Sequence, residues 1–159
     1  MGLRDFLKPP SYSDPMLGML VRRRGYWQGE IDLKQPPGPV PLLLSGSRTA
    51  PDESGSKLAR ELVVGYPGLR PDIERSLFEH YEPYAEAAEA DAGGPLDDIP
   101  RLSAPDQVWK HVSLVRVLIE PIERVDTVEI AFKTGWDIEH TVGARFQQWK
   151  LVELNGSVI

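Results

Sequence analysis

Apolar and polar residues alternate with a period of two in the first third of the chain. Residues 16–21 and 26–33 are two apolar-rich runs on either side of Arg24 and Gly25, which is the pattern of a β-hairpin. A third run at 40–44 follows a proline-rich loop that cannot donate a regular hydrogen-bond ladder. The alternation therefore predicts three strands at the start of the fold.

The spacing of apolar residues changes to a helical period in the middle of the chain. Residues 52–64 carry an apolar stripe, and Gly65 stands where a left-handed cap ends a helix. A second helix is predicted to begin at Pro71 and to kink or end at Pro83. A short third helix precedes His111. These segments form a block of two to three helices.

The last third of the chain again reads as strands. Apolar residues recur at strand spacing over 114–120, 127–133, 142–146 and 150–154, and Asn155-Gly156 is a strong turn dipeptide. Because the helices are grouped rather than alternating with the strands, the order predicts an α+β fold. The expected sheet is mostly antiparallel, with six to seven strands and the helix block inserted between strands 3 and 4 and packed on one face.

Length and proline content set the domain organisation. The 159 residues, of which 41% are hydrophobic, are enough for one core. Three prolines among residues 1–15 predict an extended lead-in, which leaves residues 16–159 as a single α+β domain. Residues 84–98 read as a polar extension of the second helix, or a mobile segment, followed by a long loop.

Charge and composition exclude several classes of protein. The formal charge of −6 argues against a nucleic-acid partner, because phosphate binding needs a basic face. There is no cysteine and therefore no disulfide or zinc–thiolate site. No apolar run approaches the roughly 18 residues that span a bilayer, so we expect no membrane partner. Together these features favour a cytoplasmic protein.

One short segment concentrates the residues that carry chemistry. Gly135 is followed by Trp136, Asp137, Ile138, Glu139 and His140, which we take as the candidate functional cluster. Carboxylates and imidazole together suit a divalent metal, and histidine can serve as a general base. Motifs for phosphate binding, dinucleotide binding and metalloprotease or serine-hydrolase chemistry are missing from the sequence.

The geometry of the cluster leaves two interpretations open. In an extended strand, Asp137 and Glu139 face one way and His140 faces the other, so only a turn or bulge after Gly135 can bring them together. A metal site would also need ligands from elsewhere, such as His80 or His111. The structural alternative is that Trp136 anchors a strand connection and Asp137 caps the turn. No cofactor is expected unless the metal site forms.

Large aromatic residues suggest a different type of function. Tyr26, Trp27 and Trp149 are candidate interface residues, since aromatic side chains are enriched where proteins bind each other. Trp149 lies at a predicted hairpin tip, where it would be exposed unless a partner or the lead-in covers it.

Two motifs resemble those of a group of uncharacterised bacterial single-domain proteins. The first is D-P-x-L-G-x-L, here at 14–20, followed by W-x-G at 27–29, and the second is W-D-x-E-H at 136–140, before the last two strands. The resemblance implies a bacterial origin and an α+β domain of unknown function, and it implies no catalytic residue. Small domains of this kind are sometimes similar to immunity proteins that neutralise a toxin.

Our leading hypothesis from the sequence is a non-enzymatic protein-interaction domain, of immunity type or an accessory protein. The alternative is a metal-binding domain or metal-dependent hydrolase centred on Asp137, Glu139 and His140. The oligomeric state is not predicted.

Overall fold

One mixed β-sheet and one long helix make up the described part of the chain. The computed structural model describes residues 7–91, 94 and 98–158. Its eight strands are β1 Ser11–Asp14, β2 Gly18–Arg23, β3 Tyr26–Ile31, β4 Val40–Leu44, β5 Val112–Ile122, β6 Val125–Thr134, β7 Thr141–Gln147 and β8 Lys150–Val158. Helix α1 spans Glu53–Ala90, and a 3₁₀ helix spans Pro105–Lys110.

The strands lie in the sheet in the same order as in the chain, from β1 to β8. Neighbouring strands are antiparallel except for β4 and β5, which run parallel, with Leu42 opposite Val117. The connection between those two strands contains α1 and the 3₁₀ helix, as a parallel pair requires. The α+β class and the mostly antiparallel sheet are therefore confirmed.

The number of strands is eight rather than six to seven. The additional strand is β1, formed by residues that the sequence analysis placed in the lead-in, and it pairs with β2. Its far end is held by Asp14, whose Oδ1 accepts hydrogen bonds from the backbone nitrogens of Met16 and Leu17. This side-chain turn returns the chain into β2, so ordered structure begins before Met16.

The two longer predicted helices are one α-helix, which continues through the predicted breaks, whereas the short helix predicted before His111 is the 3₁₀ helix. Gly65 does not adopt the left-handed conformation of a cap, and Pro67, Pro71 and Pro83 all lie inside α1. Each proline removes one backbone donor. The buried stripe of α1 nevertheless continues on both sides of these prolines, through Leu62, Tyr66, Ile73, Leu77 and Tyr81. Packing of this stripe on the sheet outweighs the local loss of hydrogen bonds.

Two of the predicted turns between strands form, and one does not. Arg24 and Gly25 both have positive φ, as in a tight two-residue hairpin turn, and so do Gln148 and Trp149 at the tip between β7 and β8. The turn predicted at Asn155-Gly156 was wrong. Strand β8 continues through it, and the pairing shifts by one residue between Asn155 and Val158, which is a β-bulge.

The face of the sheet away from the apolar core carries a network of charged side chains. Glu129 is buried on β6, and its carboxylate accepts a hydrogen bond from Arg145 Nε at 2.6 Å and lies 3.8 Å from Arg116. Arg145 also donates to Glu153 at 2.6 Å. A buried carboxylate needs such partners. Within the described residues, no helix is both long and apolar enough to cross a membrane.

Candidate functional site

The segment 135–140 forms the turn that connects β6 to β7. The backbone nitrogen of Gly135 donates to the carbonyl of His111 at 2.7 Å, which ties the start of the turn to the end of the 3₁₀ helix. Thr134 Oγ1 accepts from the backbone nitrogen of Asp137 at 3.1 Å. The chain therefore leaves the extended conformation after Thr134, and the strand geometry that separates Asp137 from His140 does not apply.

Asp137 is the centre of the turn and is buried. Its Oδ2 accepts a hydrogen bond from the Tyr84 hydroxyl at 2.7 Å. Its Oδ1 accepts from the backbone nitrogen of His140 at 3.2 Å and lies 2.9 Å from His140 Nδ1. Burial by itself would raise the pKa of Asp137, but the hydrogen bonds from Tyr84 and His140 outweigh it and lower the pKa. Asp137 is thus an ionised, fully engaged carboxylate at neutral pH.

The contact with Asp137 fixes the tautomer of the neutral His140 ring. An ionised carboxylate only accepts hydrogen bonds, so Nδ1 of His140 carries the proton and Nε2 has the free lone pair in the neutral ring. The His140 side chain is 47% exposed. His140 can therefore offer Nε2 to solvent as a base or as a ligand, held in place by a buried carboxylate.

His80 has the opposite arrangement. The indole nitrogen of Trp136 is only a donor, and it donates to His80 Nδ1 at 3.0 Å. In the neutral His80 ring the proton is therefore on Nε2. Burial lowers the pKa of His80, and the neighbouring Asp137 carboxylate opposes this shift. Trp136 is itself buried, with its ring 5.5 Å from that of Tyr81, so it anchors the turn on α1.

Tyr84 completes the cluster from the last third of α1. Burial and the hydrogen bond to Asp137 raise the pKa of Tyr84 to about 12, so the phenol remains a donor. The sequence analysis assigned no role to Tyr84 and named His80 only as a further metal ligand. Both lie on α1, four residues apart and therefore on one helix face. This spacing was the sequence signal that could have predicted their proximity.

The predicted metal trio does not form. Glu139 is exposed and makes no hydrogen bond within the described residues. The Nδ1 atom of His80 already accepts a hydrogen bond from Trp136. His111 accepts a hydrogen bond from the turn through its backbone carbonyl. Among residues 7–91, 94 and 98–158, no group of three or more His, Asp or Glu side chains is placed to hold a metal ion. The turn brings together only Asp137 and His140 of the three candidates.

A cavity of about 460 Å³ lies beside the turn. Its lining includes Tyr84, Ile99 and His140, together with Ile138, which is 90% exposed. Asp98 and Ile99, near the end of the loop predicted at 93–100, also line it, and residues 92, 93 and 95–97 lie outside the described residues.

The comparison with known protein families identifies the chain. A family model described as a domain of unknown function, DUF6985, matches residues 23–158. The chain belongs to the DUF6985 family. No curated protein and no solved structure matches it. The matched residues of the DUF6985 domain run from the end of β2 through β8 and include the whole turn at 135–140.

The residues of the W-x-G motif at 27–29 have structural contacts. Trp27 is fully buried, and its indole nitrogen donates to the carbonyl of Ser47 at 2.9 Å. A Cβ at Gly29 would lie 2.6 Å from Leu20, so the strand approaches that side chain closely. Trp27 is therefore a core residue, which contradicts its candidate role at an interface.

The two remaining interface candidates differ in their surroundings. Tyr26 is half-buried, and its hydroxyl donates to Glu120 at 2.8 Å. Trp149 is also half-buried. Its indole nitrogen donates to Glu61 of α1 at 3.1 Å, whereas β1, formed by residues 11–14 of the predicted lead-in, lies on the opposite edge of the sheet.

Two depressions lie along α1 and the edge strand β8, and Trp149 lines the first of them. The first part, about 550 Å³, is lined by Glu61, Gly65, Gly68, Leu69 and Trp149. A Cβ at either glycine would meet nothing within 4 Å, so the helix leaves open space there. The second part, about 450 Å³, is lined by Ser76, Glu79, His80 and residues 151–154. We call this surface the α1–β8 groove.

Proposed function

We propose that the DUF6985 domain is a protein-interaction module that binds a partner in the α1–β8 groove. The observation that carries this proposal is a groove, apolar in its first part and more polar in its second, beside a strand that, within the described residues, pairs on one side only. Grooves of this size with apolar walls and a few polar groups are typical binding sites. An uncovered strand edge adds backbone donors and acceptors for a partner.

The walls of the groove carry apolar side chains that the fold leaves partly uncovered. Val152 on β8 is 51% exposed. Trp149, Leu151 and Leu154 are only partly buried against the core. A bound partner would cover these side chains, and each Å² of apolar surface removed from water contributes roughly 25 cal/mol.

Site-specific photocrosslinking tests this function. A benzophenone amino acid is placed in living cells at Val152, which lines the groove, or at Val125, an exposed valine outside it. We expect an adduct of defined mass at position 152, no adduct at 125, and loss of the adduct when Gly65→Trp fills the groove. Equal adducts at both positions, or none at 152, would contradict the proposal.

An immunity-type role is one specific form of this function. With a net charge of −6, the domain would associate rapidly with a basic toxin through electrostatic steering. The absence of cysteine suits the cytoplasmic location that such a role implies. A toxin-like reading frame beside the gene would support it, and recovery of a partner with no toxic activity would oppose it.

A metal-binding function is the second candidate, and the Asp137–His140 contact is the observation that favours it. Metal-binding histidines usually donate their other ring nitrogen to a carboxylate, as His140 does to Asp137. Zinc, manganese and nickel are each added in excess while the thermal midpoint is measured. A rise that is lost in His140→Ala would support a metal site, and an unchanged midpoint would exclude it.

A further inference from the structure

The dimensions of the α1–β8 groove suit an extended segment. Between Glu61 and His80 the helix wall is about 28 Å long at the rise of an α-helix. Between Trp149 and Leu154 the strand wall is about 17 Å long. These lengths correspond to about five to eight residues of extended chain.

The edge of β8 admits only a short ladder of hydrogen bonds. The pairing with β7 shifts near Val152 and again between Asn155 and Val158, so β8 carries two bulges. Bulges on an edge strand prevent indiscriminate pairing with other strands. A docked segment therefore pairs with the backbone over a few residues, and the groove must supply the rest of the recognition through side chains.

The charged residues that line the groove from α1 are acidic. Among the described residues these are Glu61 and Glu79, and no Lys or Arg lines the groove. Lys57 lies 3.7 Å from Glu61, so that carboxylate is partly compensated. Glu153 of β8 lies at the rim, but its carboxylate accepts from Arg145 on the face of the sheet away from the core. Glu79 makes no ion pair within the described residues.

His80 adds a hydrogen-bond donor without adding positive charge. Its Nδ1 accepts from Trp136, so the neutral ring carries its proton on Nε2. That nitrogen is the His80 atom nearest Gly156 of β8, since a Cβ at Gly156 would lie 3.6 Å from it. A carbonyl group of a docked chain is a suitable acceptor for this N–H.

We infer that the α1–β8 groove takes an extended, basic segment of a partner protein, with apolar residues alternating with Lys or Arg. This inference rests on the proposed function and specifies its partner. In an extended segment successive side chains point to opposite sides. Apolar side chains then face the space at Gly65 and Gly68, while basic ones reach Glu61 and Glu79. A second copy of this acidic chain would bring like charges together.

Selection from a peptide library tests the inference. Random dodecapeptides displayed on phage are selected on the full-length protein, with removal of those that also bind Gly65→Trp. The expected peptides alternate apolar residues with Lys or Arg. Peptides enriched without basic residues, or no peptide that distinguishes the two proteins, would overturn it.

A charge reversal outside the core provides the second measurement. An enriched peptide is titrated by fluorescence anisotropy against Glu79→Lys and against Glu89→Lys, an exposed position on the same helix outside the groove. We expect Glu79→Lys to weaken binding roughly fivefold or more at low salt, and Glu89→Lys to change it less than about twofold. Equal effects of the two variants would contradict the inference.

The two proposals fail in different ways. One outcome is that the crosslink at position 152 forms, but the library selects no basic residues and Glu79→Lys does not weaken binding. In that case the groove binds a partner of another chemistry. If the selected peptides bind as expected but no cellular protein crosslinks at 152, the groove has the inferred specificity and the interaction function is wrong.

Discussion

Replacing Asp137 by asparagine tests whether the turn at 135–140 is held by one buried carboxylate. The wild-type side chain accepts from the Tyr84 hydroxyl, from the backbone nitrogen of His140 and from the His140 ring. Asparagine has nearly the same shape, but it has one acceptor oxygen and no charge. It can still accept from His140 and donate to Tyr84, so charge-assisted bonds are replaced by neutral ones.

The size of the effect follows from this exchange. A hydrogen bond to a charged group stabilises by about 1.5–3 kcal/mol and a neutral one by about 0.5–1.5 kcal/mol. We therefore expect Asp137→Asn to lower the free energy of unfolding by about 1–3 kcal/mol at pH 7. The urea midpoint would fall by roughly 0.5–1.5 M for an m-value of about 2 kcal/mol/M.

The effect must depend on pH in one direction. The pKa of Asp137 in the folded protein is lowered, whereas in the unfolded chain it is about 3.9. A lowered folded pKa gives stabilisation that is complete well above the unfolded value and is lost as the pH falls through the folded value. The difference between wild type and Asp137→Asn should therefore shrink as the pH falls from 5 towards 3.

Urea unfolding followed by tryptophan fluorescence at pH 7, 5 and 3 measures this difference. The matched control is Glu139→Gln, the same carboxylate-to-amide change at an exposed position in the same turn, which should alter stability by no more than about 0.5 kcal/mol. Equal effects of the two substitutions, or a difference at pH 3 as large as at pH 7, would refute the reasoning.

Three further predictions concern the backbone and the first turn. Gly46→Ala should destabilise by about 1–3 kcal/mol in calorimetry, because its Cβ would lie 2.5 Å from the carbonyl of Ala50; an unchanged midpoint would show that the loop relaxes freely. Gly65→Ala should stabilise by about 0.5–1 kcal/mol, since its Cβ meets nothing within 4 Å in α1, and a loss of stability would contradict a helix there. Asp14→Ala should cost about 2–4 kcal/mol in urea unfolding, because two backbone donors and Arg60 lose their acceptor; a loss below about 0.5 kcal/mol, the range of an ordinary surface change, would refute this role.

The sequence predicted the strands well and the helices poorly, for one physical reason. Strand alternation and a turn such as Arg24-Gly25 reflect local geometry that the sheet also requires. Local sequence preference and the global fold therefore agree for the strands. The rules for proline and glycine in helices describe the loss of local hydrogen bonds. They do not include the packing of Tyr66 and Ile73 on the sheet, which carries α1 through Pro67 and Pro71. The edge strand β1 was missed because Asp14, rather than an apolar pattern, ends it.

The candidate site was predicted in part. The sequence showed that Asp137 and His140 could meet only in a turn, and the turn forms. It could not show that Tyr84 and His80, more than fifty positions earlier, supply the other contacts, because those contacts depend on how α1 crosses the sheet. Glu139 remains outside the cluster because the turn that brings Asp137 and His140 together leaves it exposed to solvent.

His80 connects the turn to the groove and changes the interpretation of both. One ring nitrogen of His80 accepts a hydrogen bond from the indole N–H of Trp136, and His80 also lines the groove beside β8. Trp136 therefore holds His80 in the orientation and the tautomer that direct an N–H towards Gly156 of β8. The network around Asp137 in turn fixes Trp136, because both belong to one short turn. The clustered Trp136, Asp137 and His140 therefore support the position of a groove residue, in the groove that we propose as the binding site for a partner.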